Sequence, residues 1–258
     1  MSAPDGPLPR PPGLFGGFAA ATAFLTRIPI DLPPGAARHI GNAAWAFPLV
    51  GAGIGAVAAL TYGFAQLLGL HSWLAALTAV TTAVVLTGAL HEDGLADTAD
   101  GFCGGPDREA KLAIMRDSRH GTFGVLALVL SVSLRAAALA AMGDMLHAGL
   151  ALVAAHSASR AILPMAMRLL SPARVDGLGF SAGKPSAASA VVAVFIGAIV
   201  ALAGLGPMLG TIAICLAGAT VFAMAGLASR QIGGYTGDVL GCFQQIGEIV
   251  MLLAASAA

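Results

Sequence analysis

The chain has 258 residues, of which 57% are apolar and only 10% charged, against about 25% charged in an average soluble chain. Its mean hydropathy is +0.85 and its formal net charge is zero. A soluble fold of this length has too little interior for so much apolar surface, so its solvent is lipid, and the lack of a basic excess excludes a nucleic-acid partner.

Residues 1–12, MSAPDGPLPRPP, are proline-rich and read as a disordered tail. Residues 13–258 read as one all-α membrane domain, a polytopic bundle of about seven transmembrane helices preceded by an N-terminal interfacial or re-entrant helix. That first helix is the apolar run 14–27, whose roughly fourteen residues are too few to cross about 30 Å of hydrocarbon. Its proline-rich approach, and Arg27-Ile28-Pro29 at its end, argue against a cleaved signal peptide. Seven runs are long and apolar enough to span: 43–69, 72–91, 122–143, 147–169, 186–206, 208–229 and 237–257. With the N-terminus in the cytoplasm, Arg10, Arg27, Arg38, Arg108, Lys111, Arg116, Arg119, Arg168, Arg174, Lys184 and Arg230 all fall on the cytoplasmic side. The outer connections then carry no Lys or Arg, which is the positive-inside pattern. This predicts a multi-pass protein of the cell inner membrane, surrounded by membrane lipid, with the segments 91–121 and 171–185 in the cytoplasm. The 34 glycines, among them the pairs Gly51/Gly55 and Gly206/Gly210, suit close helix packing and permit a homo-oligomer. The three cysteines are far apart in sequence, so neither a disulfide framework nor a zinc site is expected.

The segment His91–Gly101, HEDGLADTADG, holds Glu92, Asp93, Asp97 and Asp100, four acids in a chain with thirteen. On a helix, Asp93, Asp97 and Asp100 fall within about 60° of one another. Like charges at this spacing repel, and a divalent cation removes the repulsion; carboxylates suit Mg²⁺, which keeps waters and substrate phosphates in its shell. One or two acids would be an ordinary solvated helix start; three on one face, in a chain this poor in charge, point to a metal site. Gly94 and Gly101 let a phosphate approach the backbone. Asp107 caps a short helix through about Met115, with Leu112 and Met115 toward the bilayer. The turn Arg116–Gly121 then gathers Arg116, Asp117, Arg119 and His120, and arginines here can grip phosphate oxygens. Lys111 and Arg108 read as membrane anchoring.

Arg135 lies inside one span, and His156 and Arg160 lie four apart in the next. Such residues either fix helix order through ion pairs or contact substrate from the cytoplasm. The last span opens with GGYTGDVLG and carries Asp238, Gln244, Gln245 and Glu248. It is expected to face the acidic segment, with Asp238 as a further metal ligand or a general base, or as a plain helix cap.

Taken together, HEDGLADTADGFCGG, KLAIMRDSRHGTFG and GGYTGDVLG with the downstream Glu248 resemble the cobalamin synthase family, the adenosylcobinamide-GDP ribazoletransferases; FLTRIP at 24–29 and FPLVG at 47–51 are similar too. The resemblance runs from about residue 15 to the C-terminus, and Glu92 departs from it, standing where a neutral residue is more usual. It implies transfer of a phosphocobinamide group from adenosylcobinamide-GDP to α-ribazole or α-ribazole 5′-phosphate, with release of GMP and with Mg²⁺ as cofactor. For that reaction the residue reading gives Asp93, Asp97 and Asp100 as the metal set, with Glu92 beside them as a further candidate ligand, Asp100 or Asp238 as the base, and Arg116 and Arg119 as the phosphate clamp. Substrate contacts are then expected from His91, Gly94, Gly101, Asp117, His120, Arg160 and Gly237. A CDP-alcohol-type phosphotransferase shares the chemistry of clustered aspartates in a membrane bundle. An ion-coupled secondary transporter would need acids near the midplane and inverted repeats, and no repeat is evident.

Overall fold

The computed structural model describes residues 13–32 and 40–257. The tail 1–12, with Arg10, and also Arg38 lie outside the described residues.

Helix α1, Leu14–Leu25, has twelve residues and packs its small face, Gly17, Ala20 and Ala21, on the start of the first long helix. At 1.5 Å per residue it reaches about 18 Å, so it cannot span. Arg27 N–H then donates to Leu86 O at 2.8 Å, tying this hairpin to the end of the second span. The short α2, Ile40–Ala43, runs through one 3₁₀ turn into α3, Phe47–Leu67. Pro48 sits in the first turn of α3, where a missing N–H costs nothing.

Among the described residues, six apolar helices are long enough to cross a membrane: α3 with its lead-in, α7 (Thr122–Ala141), α8 (Met145–Leu169), α10 (Ala187–Leu205), α11 (Pro207–Ile232) and α12 (Gly237–Ser256). The seventh expected span is not one helix. α4, Ser72–Thr87, stops four residues short of the expected end, and α5, Leu90–Gly104, leaves it at 91°. The break is a pair of left-handed residues, Gly88 at φ 64° and Ala89 at φ 58°. Glycine takes that conformation freely, whereas alanine pays for its Cβ, so surrounding contacts must hold the bend. Two short helices, α6 (Arg108–Ile114) and α9 (Gly177–Ser181), cross the same end of the bundle.

α8 is the central helix, packed chiefly on α3, α10 and α12. Gly51 and Gly55 do what their spacing suggests, since a Cβ on either would strike the α8 backbone at His156 or Leu152. A Cβ on Gly210 would come within 2.9 Å of Ala201 O, a looser approach, and Gly206 forms the left-handed link between α10 and α11. α10 and α11 turn Phe195, Ile199 and Phe222 outward, as helices in contact with lipid do. The connections at the end away from α5, residues 68–71, 142–144 and 206, contain no Lys or Arg.

The α3–α8 contact predicts a position-specific stability effect. Gly51→Val should lower the thermal midpoint in detergent, at a cost of about 1–3 kcal/mol for forced overpacking. Gly53→Val, where a Cβ meets nothing within 4 Å, should leave it unchanged. Equal midpoints for both variants would count against the packing described.

Candidate active site

The acidic face is built on α5, and its orientation is set by the one acid that points elsewhere. Glu92 is buried, and its Oε1 accepts from Arg135 NH1 on α7 and from Gln245 Nε2 on α12, each at 3.1 Å. Expected among metal ligands, it instead joins a buried network. Arg135 NH1 also reaches Glu248 Oε1 at 3.1 Å, while Glu248 Oε2 lies 2.9 Å from His156 Nδ1 and 3.8 Å from Arg160 NH1. Gln244 donates to Glu248 Oε2 at 2.6 Å, and Ser131 donates to Gln245 at 2.8 Å. Arg135 lies thirteen residues beyond the start of α7, about 20 Å along the helix axis. Arg160, expected as a substrate contact, is likewise enclosed, at 1% exposure.

The three aspartates behave differently from one another. Asp100 is buried and accepts from two backbone amides at the start of α7, Gly121 N–H at 2.7 Å and Gly124 N–H at 2.8 Å. It therefore caps α7 from another helix, where the dipole favours a negative charge. No side chain fits at Gly121 or Gly124, because a Cβ there would run into that carboxylate. Asp97 is half-buried, 3.8 Å from His120 Nδ1, and carries the fields of Asp93, Asp238 and Asp100. Asp93 is exposed.

α12 crosses α5 with glycine on both sides. A Cβ on Gly94 would come within 2.6 Å of Asp238 O, and one on Gly241 within 3.2 Å of Gly94 Cα. Gly94 thus serves a helix crossing, and Gly101 serves another: its Cβ would meet Met115 of the α6 segment at 2.5 Å. Met115 consequently packs inward at 3% exposure, and Leu112 lies partly buried against the core, so neither faces the bilayer as expected. Asp107 does cap α6, accepting from Ala110 N–H at 2.9 Å. The cap of α12 is Thr236, not Asp238. Asp238 Oδ2 instead accepts from Arg174 NH2 at 3.2 Å and Thr236 Oγ1 at 3.0 Å.

Arg174 is the residue that sequence spacing did not single out. Its segment is pinned beside the start of α12 by Ala173 N–H to Tyr235 O at 2.7 Å and Tyr235 N–H to Ser171 O at 2.9 Å. Arg108 secures the same corner, donating to Ile232 O and Ala173 O, and Lys111 donates to Gly105 O at 2.6 Å. These two cations hold backbone carbonyls as well as contributing charge. Beneath Arg174 lies a cavity of about 310 Å³, with His91, Asp93, Asp238 and Gly237 on its polar side. Gly237 N–H sits against Gly179, too close for a Cβ there.

The arginine turn is open to solvent. Arg116 donates to both oxygens of Asp176, at 2.9 and 2.7 Å, and Arg119 pairs with Asp117 at 2.7 Å. Hydrogen bonds from Arg119 hold the Asp117 carboxyl at about 2, below the usual range. Exposed pairs of this kind contribute little stability and exchange readily for an arriving anion.

Among the described residues, no three His, Cys, Asp or Glu side chains already converge on a metal-sized point. The donor set nevertheless suits a hard cation: two carboxylates not engaged by backbone amides, the exposed Asp93 and the half-buried Asp97, match an ion that uses one or two protein oxygens and completes its shell with water and phosphate.

The buried network predicts a large contrast between arginines. Arg135→Met strands Glu92 and Glu248 without their shared cation and should cost about 3–5 kcal/mol. Arg116→Ala, which opens an exposed pair, should cost about 0–1 kcal/mol. Thermal unfolding of the purified variants compares them, and similar losses would show that Arg135 is not the common partner of the two buried carboxylates.

A family model described as cobalamin-5-phosphate synthase matches residues 17–256. The chain is 51% identical over 241 residues, 92% of each chain, to the adenosylcobinamide-GDP ribazoletransferase of Bradyrhizobium diazoefficiens. It is 46% identical over 252 residues to that of Azorhizobium caulinodans, covering 93% of this chain and 95% of the relative. With that of Mesorhizobium japonicum the identity is 43% over 249 residues, covering 96% and 95%. No solved structure matches the chain significantly. The two glycine-paired helices that carry Asp93, Asp97 and Asp238 lie within the matched span, and the chain belongs to the cobalamin-5-phosphate synthase family.

Proposed function

We propose that the protein transfers the phosphocobinamide group of adenosylcobinamide-GDP to α-ribazole or its 5′-phosphate. GMP is released, and adenosylcobalamin or its 5′-phosphate is formed, completing the lower nucleotide loop of cobalamin. The observation that carries this reading is the shared acidic face: the glycine-paired crossing of α5 and α12 sets Asp238 beside the helix of Asp93 and Asp97, near a turn of exposed arginines.

The chemistry is a displacement at phosphorus. A ribose hydroxyl oxygen of the acceptor bonds to the phosphorus that carries the cobinamide arm. The bond from that phosphorus to the bridging oxygen breaks, and GMP leaves with the electron pair. Asp238 takes the hydroxyl proton; its two protein partners both bond Oδ2, which keeps the carboxylate oriented and leaves Oδ1 available to the acceptor. Asp100 serves as the cap that holds α5 against α7, and Arg116 and Arg119 exchange their surface carboxylates for substrate phosphate oxygens. Mg²⁺ held by Asp93 and Asp97 would neutralise charge on the pyrophosphate as it breaks. The large corrinoid remains outside the bundle, at the α6 and α9 end.

Purified protein with adenosylcobinamide-GDP and α-ribazole should release GMP with Mg²⁺ present and stop in excess chelator; undiminished release in chelator removes the metal from the reaction. Asp97→Asn should lower kcat by about a hundredfold or more while the thermal midpoint holds, since Asp97 has no backbone capping bond to lose. A wild-type rate would take Asp97 out of the site.

We also propose that this end faces the cytoplasm of the cell inner membrane, because the connections at the opposite end lack Lys and Arg. A cysteine placed at position 107 should react with an impermeant maleimide in inverted vesicles and stay protected in intact cells. The reverse pattern would invert the topology.

A further inference from the structure

The cavity beneath Arg174 has a composition that distinguishes between the two substrates. Its volume, about 310 Å³, is at the low end of the roughly 300–1,000 Å³ that enclosed ligand sites occupy. A two-ring base with a pentose fills such a space, whereas a corrin macrocycle does not enter it. Its walls are apolar: Phe24 and Phe47 stack with centroids 6.0 Å apart and planes at 13°, and Leu163 and Met167 face them from α8. Flat aromatic and soft thioether surfaces of this kind suit an aromatic base. The charged groups in its lining are Asp93, Asp238 and Arg174, and the arginine already serves Asp238 and Asp176. The apolar walls would leave the amide and amino edge of a guanine unpaired, whereas a benzimidazole has no such edge, so they suit the acceptor base better than a guanosine. His91 supplies the remaining signal. It lines the cavity at 4% exposure, and its imidazole is the neutral hydrogen-bonding side chain of that lining.

We infer that this cavity is the acceptor subsite: it encloses the aromatic base and ribose of the ribazole, with the His91 imidazole bonded to a ribose hydroxyl and a neighbouring hydroxyl directed at Asp238. The inference rests on the transferase reading above and specifies which part of the reaction this space serves. The base lies among Phe47, Leu163 and Met167, away from water. The guanosine diphosphate end of the donor stays on the open side with Arg116 and Arg119.

Base specificity tests this directly. Leu163→Ala enlarges the apolar wall, so kcat/KM for a naphthimidazole riboside should rise about tenfold relative to the dimethylbenzimidazole riboside. His91→Ala should raise KM for the acceptor about tenfold. In both variants KM for adenosylcobinamide-GDP should stay within about twofold of wild type, the usual scatter for a contact not made. On the unaltered protein, an azido-benzimidazole riboside should photolabel Phe47 or Met167, and α-ribazole should compete the label away. Unchanged base preference in Leu163→Ala, with label confined to residues 108–121, overturns the acceptor subsite alone, provided the wild type still releases GMP. A wild type that releases no GMP with any riboside overturns the transferase reading and the subsite with it.

Discussion

The site depends on a buried charge network that has no direct part in the chemistry. Arg135 stands between Glu92 and Glu248, and Glu248 continues to His156 and Arg160, so one chain of contacts ties α5, α7, α8 and α12 together. In an apolar medium each of these charges is affordable only beside its partner. Two arginines and two glutamates balance formally, and Gln244, Gln245 and Ser131 absorb part of the remaining hydrogen-bonding capacity. The network also sets a rotation. Helix geometry places Asp93, Asp97 and Asp100 about 80–140° around the axis from Glu92. Once Glu92 is fixed inward on Arg135, the aspartates are turned toward α7, α12 and the open end.

That division of labour was only half legible in the sequence. Periodicity on α5 grouped Asp93, Asp97 and Asp100 correctly onto one face, and six of the seven runs expected to span are single helices. The apolar run 72–91 was misleading because hydrophobicity does not encode direction. Nothing in Gly88-Ala89 demands a right-angle bend, since alanine favours continuing a helix. The bend comes from tertiary contacts, among them Arg27, which occupies the space beside Gly88. Arg174 was hidden for a related reason. Its approach to Asp238 needs residues 171–173 to run beside Tyr235, a pairing between segments more than sixty positions apart that local pattern cannot show.

The glycines show how one sequence signal can have several physical causes. Gly94 and Gly101 sit in an acidic motif and invite a phosphate reading, yet each lies where a neighbouring segment leaves no room for a methyl group. Their absence of side chain brings α12 and α6 onto α5, which is what carries Asp238 to the acidic face. Close packing and substrate approach are therefore linked here: without the Gly94–Gly241 crossing, the α12 carboxylate would stand farther from the α5 carboxylates. In lipid, where apolar burial drives helix association weakly, such small-residue contacts carry much of the specificity.

Asp100 illustrates the same economy at the other end of α5. Both of its oxygens are engaged by amides at the start of α7, so its charge is already balanced by a helix dipole and two hydrogen bonds. Asp93 and Asp97 have no such backbone amides and carry the repulsion that remains. A cation therefore gains most at Asp93 and Asp97, and least at Asp100. Spacing alone makes the three aspartates equivalent; the capping of α7 separates one that holds the helices together from two that are free to do chemistry.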